Sequence, residues 1–213
     1  MPPRVLGWEY LLVTYRSSAE ALAGVLPDGL EPLAGEVVGF EWRRTLSRPT
    51  GGERIDAAVV IPCGYKGREL GYELRHYCDQ HRPHRIQTGQ RCEGGPDFYA
   101  KLVAAPLLRM GTLHDGEQLV AAAILSQKAS NSLDGQDEAA GWIARPRLKP
   151  ADLDDAHLDP ARHAKRSDEP QLTYQAKGAV TFQLLAAPSG AFVAPAVAEV
   201  LYGQFFVAAP DAS

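Results

Sequence analysis

Cysteine is scarce in this chain of 213 residues: Cys63, Cys78 and Cys92 are the only three. An odd number without framework spacing argues against a small cross-linked secreted domain and suits a reducing cytosol, so a cytoplasmic location is expected. Positive charge is not in excess either. The 22 lysines and arginines are outnumbered by 26 aspartates and glutamates, for a net charge of −4. Phosphate-backbone binding therefore has no electrostatic drive, and nucleic acid is not an expected partner. No uninterrupted apolar run is as long as a membrane span, so a membrane is not one either. Near the N-terminus, Glu9 and Arg16 break the apolar stretch before a secretory core region can form. Walker and dinucleotide-binding glycine patterns are missing, and the pairs Gly51-Gly52 and Gly94-Gly95 fit turns or bulges. There is no Gly-x-Ser-x-Gly nucleophile elbow. No cofactor is expected.

What is present is ordinary globular text, with 45% hydrophobic and 23% charged residues. Residues 1–213 fit a single domain able to bury its own core. Short apolar runs separated by turn residues predict strands at 8–15, 36–42, 55–62, 70–77, 85–89, 98–104, 107–113 and 119–125. Further strand-compatible runs cover 172–185 and 191–209, where 194–201 is equally compatible with a helix. Ser17-Ser18-Ala19-Glu20 fits a capping box that opens a short helix ended near Pro27. Residues 130–170 are polar, acidic and proline-rich, and read as a surface excursion with one short helix. Many short strands and few helices predict an α+β chain, mostly antiparallel β, folded into a barrel or sandwich.

Metal chemistry has one weak candidate, Cys78-x2-His81-x2-His84, with His76 and Cys92 nearby. It crosses a predicted hairpin tip and lacks paired-ligand spacing, so a solvated turn is the better reading and no metal is expected. His114, His157 and His163 lie in turn-like or charged text and read as surface residues.

Three stretches, taken in order, carry a resemblance. The first is Tyr10-Leu-Leu-Val-Thr-Tyr-Arg-Ser-Ser-Ala-Glu-Ala-Leu, continuing into Val25-Leu-Pro-Asp-Gly-Leu-Glu-Pro-Leu. The second runs from Val59-Val-Ile-Pro through Tyr65-Lys-Gly and Tyr77-Cys-Asp to Gly89. The third is Met110-Gly-Thr-Leu-His-Asp-Gly-Glu-Gln-Leu-Val-Ala-Ala-Ala-Ile-Leu-Ser-Gln-Lys. Together they resemble the acetoacetate decarboxylase superfamily over residues 8–130, with a vaguer match at 172–209. The resemblance implies a cone-shaped or closed β-barrel enclosing the active site.

Family members decarboxylate through an imine on a lysine in a segment of the form GRE-x-x-G-[FY]-P-K-K. Such a lysine must be kept neutral by desolvation or by a neighbouring cation, an effect for which this same family is the standard example. Here the segment is Gly89-Gln-Arg-Cys-Glu-Gly-Gly-Pro-Asp-Phe98. By alignment, Asp97 stands at the reactive lysine and Phe98 at its helper. Trp8 stands at the family's active-site arginine. Lys101 shares strand parity with Asp97, yet four residues along a strand separate them by roughly 13 Å. It is either a nucleophile acting from elsewhere in the cavity or an outward-pointing lysine at a strand end.

The family's two glutamates align with Glu41, in Phe40-Glu41, and with Asp56. Each is either a carboxylate raised in pKa by an apolar barrel, fit for acid–base work, or a partner of Arg43, Arg44 or Arg54 near a sheet rim. Arg91 either brings positive charge to the site or pairs with Glu93 at the surface. The candidate catalytic residues are thus Asp97, Asp56, Glu41 and Lys101. Trp8, Phe40, Arg91, Phe98 and Tyr99 are the candidate substrate contacts.

The substitutions point to a cavity less cationic and more apolar than the family's. The expected activity is cyclisation (a pericyclic closure included), dehydration or rearrangement of a polyketide-like carbonyl small molecule, without decarboxylation. Secondary metabolism of the antibiotic-producing kind is the expected setting. Two other readings stay open: a Schiff-base lyase using Lys101 or Lys128, and a non-catalytic small-molecule binder. Homo-oligomerisation is compatible with all three.

Overall fold

A computed structural model describes residues 4–48, 54–78, 98–127, 141–149, 171–186, 190 and 192–209. The long strands are β1 (Arg4–Arg16), β3 (Val37–Arg48), β4 (Arg54–Tyr65), β5 (Arg68–Cys78), β6 (Phe98–Ala105), β7 (Leu108–Asp115), β8 (Gln118–Gln127), β10 (Gln171–Leu184) and β11 (Glu199–Ala209). Two short ones, β2 (Glu31–Pro32) and β9 (Arg147–Leu148), the helix α1 (Ala19–Ala23) and a helical turn at 141–144 complete the described elements. All strands join one sheet in the order β6-β7-β8-β10-β11-β1-β3-β4-β5-β9, with β2 beside β4. Neighbours run antiparallel except β5 and β9, which are parallel. The expected mostly antiparallel α+β architecture is what the chain adopts.

Local chemistry explains the elements. The β4–β5 hairpin turns on Lys66 (φ 49°) and Gly67 (φ 76°). Two consecutive positive φ angles suit the twist of a tight hairpin. The helix cap falls on Ser18, whose hydroxyl accepts from the Ala21 amide, rather than on Ser17. One turn of chain is all α1 amounts to, because Gly24 and Pro27 follow it. Residues 192–197 form coil, and of the stretch 194–201, open to a helix by sequence, 199–201 belong to β11. The Tyr15 hydroxyl donates to the Pro195 carbonyl and the Tyr77 hydroxyl accepts from the Val193 amide, which tie that coil to the core.

Strand alternation gives the sheet two unlike faces. On the inner face, Phe40 and Trp42 of β3 pack 4.5 Å apart, with Phe182 of β10 5.5 Å from Phe40. Leu11, Val59, Ile61, Phe98, Leu102, Leu113 and Leu125 join them in one buried cluster. Aromatic pairs of this kind add about 0.5–1.5 kcal/mol beyond their area burial. The sheet curls around this cluster, bringing β6 against β3, β4 and β5. Arg44 of β3 donates to the Leu102 carbonyl across the closure. Closure also needs a residue without a side chain, because a Cβ on Gly111 of β7 would lie 2.5 Å from the Trp42 ring.

Two expectations change. Between 130 and 170, the described residues 141–149 do not lie free on the surface: Trp142 and Leu148 are buried against the sheet. Cys78 is disulfide-bonded, against the expectation of three unpaired thiols, while Cys63 is free and buried, its thiol pushed up to about 11 by desolvation. The predicted turn at 79–83 and strand at 85–89 lie outside the described residues. No helix among the described residues is long and apolar enough to cross a membrane.

Gly111→Ala is expected to lower unfolding stability by about 1–3 kcal/mol through overpacking against Trp42. Urea denaturation will show it as a lower midpoint with an unchanged slope.

Candidate active site

The outer face carries the chemistry. Register places Tyr10, Arg43, Asp56 and Cys78 in one row across β1, β3, β4 and β5, and Leu12, Glu41, Ala58 and His76 in the next. Directly opposed side chains in adjacent strands are in reach of one another. Glu73 should face the other way, since it lies an odd three residues from His76. A bulge between Val59 and Val60, where β5 inserts Leu74, reverses the parity and brings Glu73 to the same face.

Residues 141–149 roof part of this face. A helical turn at 141–144 lays the Trp142 indole on Gly39, where a Cβ would lie only 2.1 Å from the ring. Trp142 Nε1 donates to Glu41 Oε2 at 2.8 Å, and Arg147 Nη2 donates to the same oxygen at 3.0 Å. The Arg147 guanidinium stacks 4.9 Å over the Trp142 ring. Around Asp56, Arg54 Nε donates to Oδ1 at 2.7 Å and Arg43 Nη2 to Oδ2 at 3.3 Å. His76 Nε2 stands 3.7 Å from Asp56 Oδ2, and its Nδ1 lies 3.4 Å from Glu73 Oε1. Lys149 Nζ is 3.9 Å from the same Glu73 oxygen.

Glu41, Asp56, Glu73 and His76 are each less than a tenth exposed, at 4%, 2%, 7% and 4%. Burying charge is unfavourable unless it is paired. Burial alone would raise both Glu41 and Asp56. For Glu41 that effect is outweighed by Arg147, Arg43 and the Trp142 hydrogen bond, and its carboxyl falls below the usual value of 4.5. For Asp56 it is outweighed by His76, Arg43 and Arg54, and the carboxyl falls well below 3.8. The raised pKa expected for carboxylates in an apolar barrel is therefore corrected. Both are held ionised at neutral pH and act as fixed anions that orient cations.

The other expected residues are scattered. Trp8 joins the outer face, half-buried beside the Tyr10–Phe206 stack, whose ring centroids are 4.7 Å apart. Phe40 and Phe98 belong to the packed inner core, Phe98 stacking on Tyr77 at 4.9 Å, rather than to the outer face with Glu41 and Asp56. Tyr99 lies against the His114 ring at 4.6 Å. Lys101 is exposed, its ammonium 5.2 Å from the centre of the Tyr99 ring. Asp97, Arg91 and Lys128 lie outside the described residues, as do His81 and His84. No group of metal-ligating side chains occurs among the described residues. Sequence reasoning missed His76, Glu73, Trp142 and Arg147 as site residues. The last two reach Glu41 across 101 and 106 residues of chain, a separation no local pattern reveals.

The family model described as acetoacetate decarboxylase (ADC) matches residues 1–149. The chain belongs to the acetoacetate decarboxylase family. It is 34% identical over 129 residues to acetoacetate decarboxylase 1 of Bradyrhizobium diazoefficiens, covering 60% of this chain and 50% of that protein. It is 34% identical over 149 residues to acetoacetate decarboxylase 3 of Mesorhizobium japonicum, covering 69% of this chain and 56% of that one. The chain thus matches about half the length of these curated relatives. Among solved structures, acetoacetate decarboxylase from Legionella pneumophila superposes with a TM-score of 0.70 at 19% identity, covering 100% of this chain and 88% of its own. The enduracididine biosynthesis enzyme MppR complexed with pyruvate gives 0.62 at 14% identity, covering 98% and 87%. An acetoacetate decarboxylase-like enzyme from Sphingomonas wittichii RW1 gives 0.62 at 15%, covering 97% and 92%. At these identities the structural likeness carries the family fold, including β10 and β11 beyond the family-model match.

A lowered folded pKa contributes stability above the unfolded value, and that contribution is lost as pH falls through the folded value. Asp56→Asn leaves its arginines without their shared anion and is expected to lose about 3–5 kcal/mol at pH 7. The gap between wild type and variant should narrow below pH about 4, as Asp56 in the unfolded chain takes up its proton. Urea denaturation across pH 2–8, on the order of one measurement per pH unit, checks both.

Proposed function

We propose that this member of the acetoacetate decarboxylase family is a cofactor-independent enzyme that transforms a carbonyl compound by proton transfer, not through a lysine imine. Cyclisation, dehydration or rearrangement of a polyketide-like substrate is the reaction class that fits, in secondary metabolism of the antibiotic-producing kind. The observation that carries this reading is His76. It is buried on the charged face with a carboxylate beside each ring nitrogen, Nδ1 3.4 Å from Glu73 Oε1 and Nε2 3.7 Å from Asp56 Oδ2. An imidazole oriented by neighbouring carboxylates is arranged to take and return a proton. Asp56 and Glu41, held ionised, set the field around it. Trp8, Tyr10, Trp142 and Phe206 supply apolar surface on the same face.

Imine formation makes different demands: a neutral amine in dry surroundings. Lys101 is exposed, and Asp97 occupies the aligned position of the family's reactive lysine. A fold can host more than one reaction, and the solved neighbour MppR in complex with the condensation product of pyruvate and imidazole 4-carboxaldehyde is compatible with that here. Imine chemistry remains the reading to be separated, because the curated relatives are named decarboxylases and Lys149 lies on the charged face beside Glu73.

Incubation with acetoacetate or pyruvate followed by borohydride reduction separates the two. The expected result is an unmodified intact mass and no carbon dioxide released from acetoacetate. A reduced adduct mapped to Lys101, Lys128 or Lys149 would overturn the proposal.

A further inference from the structure

His76 is only 4% exposed, so a base there meets a substrate only after a covering group leaves. Among the described residues, side chains of 141–149 lie over this part of the sheet. Trp142 rests on Gly39 and Glu41 of β3 and shares an apolar cluster with Leu12, Ala58 and Val60. Ala58 and Val60 are the register partners of His76 and Glu73, so the base stands two strand spacings, roughly 10 Å, from Glu41. The slot is built around the ring. A Cβ on Gly39 would lie 2.1 Å from the indole, and one on Gly71 3.3 Å from Arg147 Cδ. The Arg147 guanidinium stacks 4.9 Å over the indole, and Glu41 Oε2 accepts from Nε1. A glycine floor, a stacked cation and an acceptor at the edge are what a flat ring bearing a donor needs. The turn itself is held lightly. Its backbone bond, Arg145 N to Gly141 O, is internal, and the bond of Gly71 N to Pro146 O ties the following residue to the sheet. Arg145 reaches Glu69 at 3.8 Å, but that carboxylate is 70% exposed and such a pair contributes little. If Trp142 leaves, Glu41 keeps Arg147 at 3.0 Å, so no buried anion is stranded.

We infer that Trp142 occupies the subsite of a substrate ring, and that the turn 141–145 swings out about Pro146 when that ring takes its place. This rests on the preceding reading of His76 as the base, and it narrows the substrate to a ketone carrying a hydroxyaryl ring. The ring lies on Gly39 beneath Arg147. Its hydroxyl donates to the Glu41 oxygen that Trp142 Nε1 releases, and the ketone side chain runs across Ala58 towards His76. Glu41 thereby selects for a ring that bears a donor, because a bare phenyl ring leaves that oxygen with Arg147 alone. Trp142 and the substrate ring exclude one another. The apparent affinity of the protein is then that of the open slot, reduced by the fraction of molecules in which the slot is open.

para-Hydroxyphenylacetone is the probe. Full-length protein labelled with fluorotryptophan carries fluorine NMR signals from Trp8, Trp42 and Trp142, its three tryptophans, and Trp142→Phe assigns the third. The probe is expected to move the Trp142 signal to its position in urea-unfolded protein and to leave the signal of the buried Trp42 in place. Phenylacetone, which lacks the donor, is expected to need roughly fivefold higher concentration. Trp142→Ala leaves the slot open and is expected to bind the probe about tenfold more tightly than wild type in equilibrium dialysis. Adding Arg147→Gln to it removes most of that gain. If Trp142→Ala does not fold, the fluorine titration of the wild type decides alone. A Trp142 signal unmoved up to the solubility limit of the probe, or Trp142→Ala binding no tighter than wild type, overturns the inference. Failure of the underlying reading looks different. A Trp142 signal that moves while the α-protons of the probe exchange in D2O no faster than in buffer keeps the ring subsite and removes His76 as the base. Exchange above the buffer rate with an unmoved Trp142 signal removes the subsite alone.

Discussion

The shared carboxylate of Asp56 is the constraint from which the site follows. Its side chain is almost wholly buried, yet it is held ionised by Arg43, Arg54 and His76. One anion between two guanidinium groups satisfies neither completely. Arg43 and Arg54 are therefore fixed in place around it, and His76 stands 3.7 Å from its Oδ2.

The two faces of the sheet divide the work. Tightly packed aromatic rings on the inner face supply the stability that lets the protein tolerate an imperfectly paired outer face. Gly111 and Gly39 show the same economy of space on opposite faces, one admitting Trp42 and the other Trp142. On the outer side, Trp142 and Arg147 form a small roof pinned to Glu41. That gives the two family carboxylates separate tasks: Glu41 anchors the covering segment, and Asp56 arranges the cations.

Much of the fold was legible because strand periodicity and turn chemistry agree. Val38, Phe40 and Trp42 alternate with Gly39, Glu41 and Arg43, and Lys66-Gly67 marks its hairpin. The site was half legible. Glu41 and Asp56 came with the family resemblance, and the pairing of Asp56 with Arg43 or Arg54 was one of the two readings its neighbours allowed. Their lowered pKa was not legible, because burial and pairing act in opposite directions and only geometry decides which prevails. Glu73 was hidden by a bulge that breaks the period-2 rule within β5. Trp142 and Arg147 were hidden in polar text whose composition said surface, although their side chains cover the face on which Glu41 lies.

Proton transfer at this site depends on the state of one imidazole ring. Exchange of the α-hydrogens of a neutral ketone in D2O, compared between wild type and His76→Gln, tests that dependence directly. The predicted result is exchange that the wild type accelerates above buffer and His76→Gln does not. Exchange at the buffer rate in the wild type, or equal exchange in both, would contradict it, because the cluster would then hold no working base.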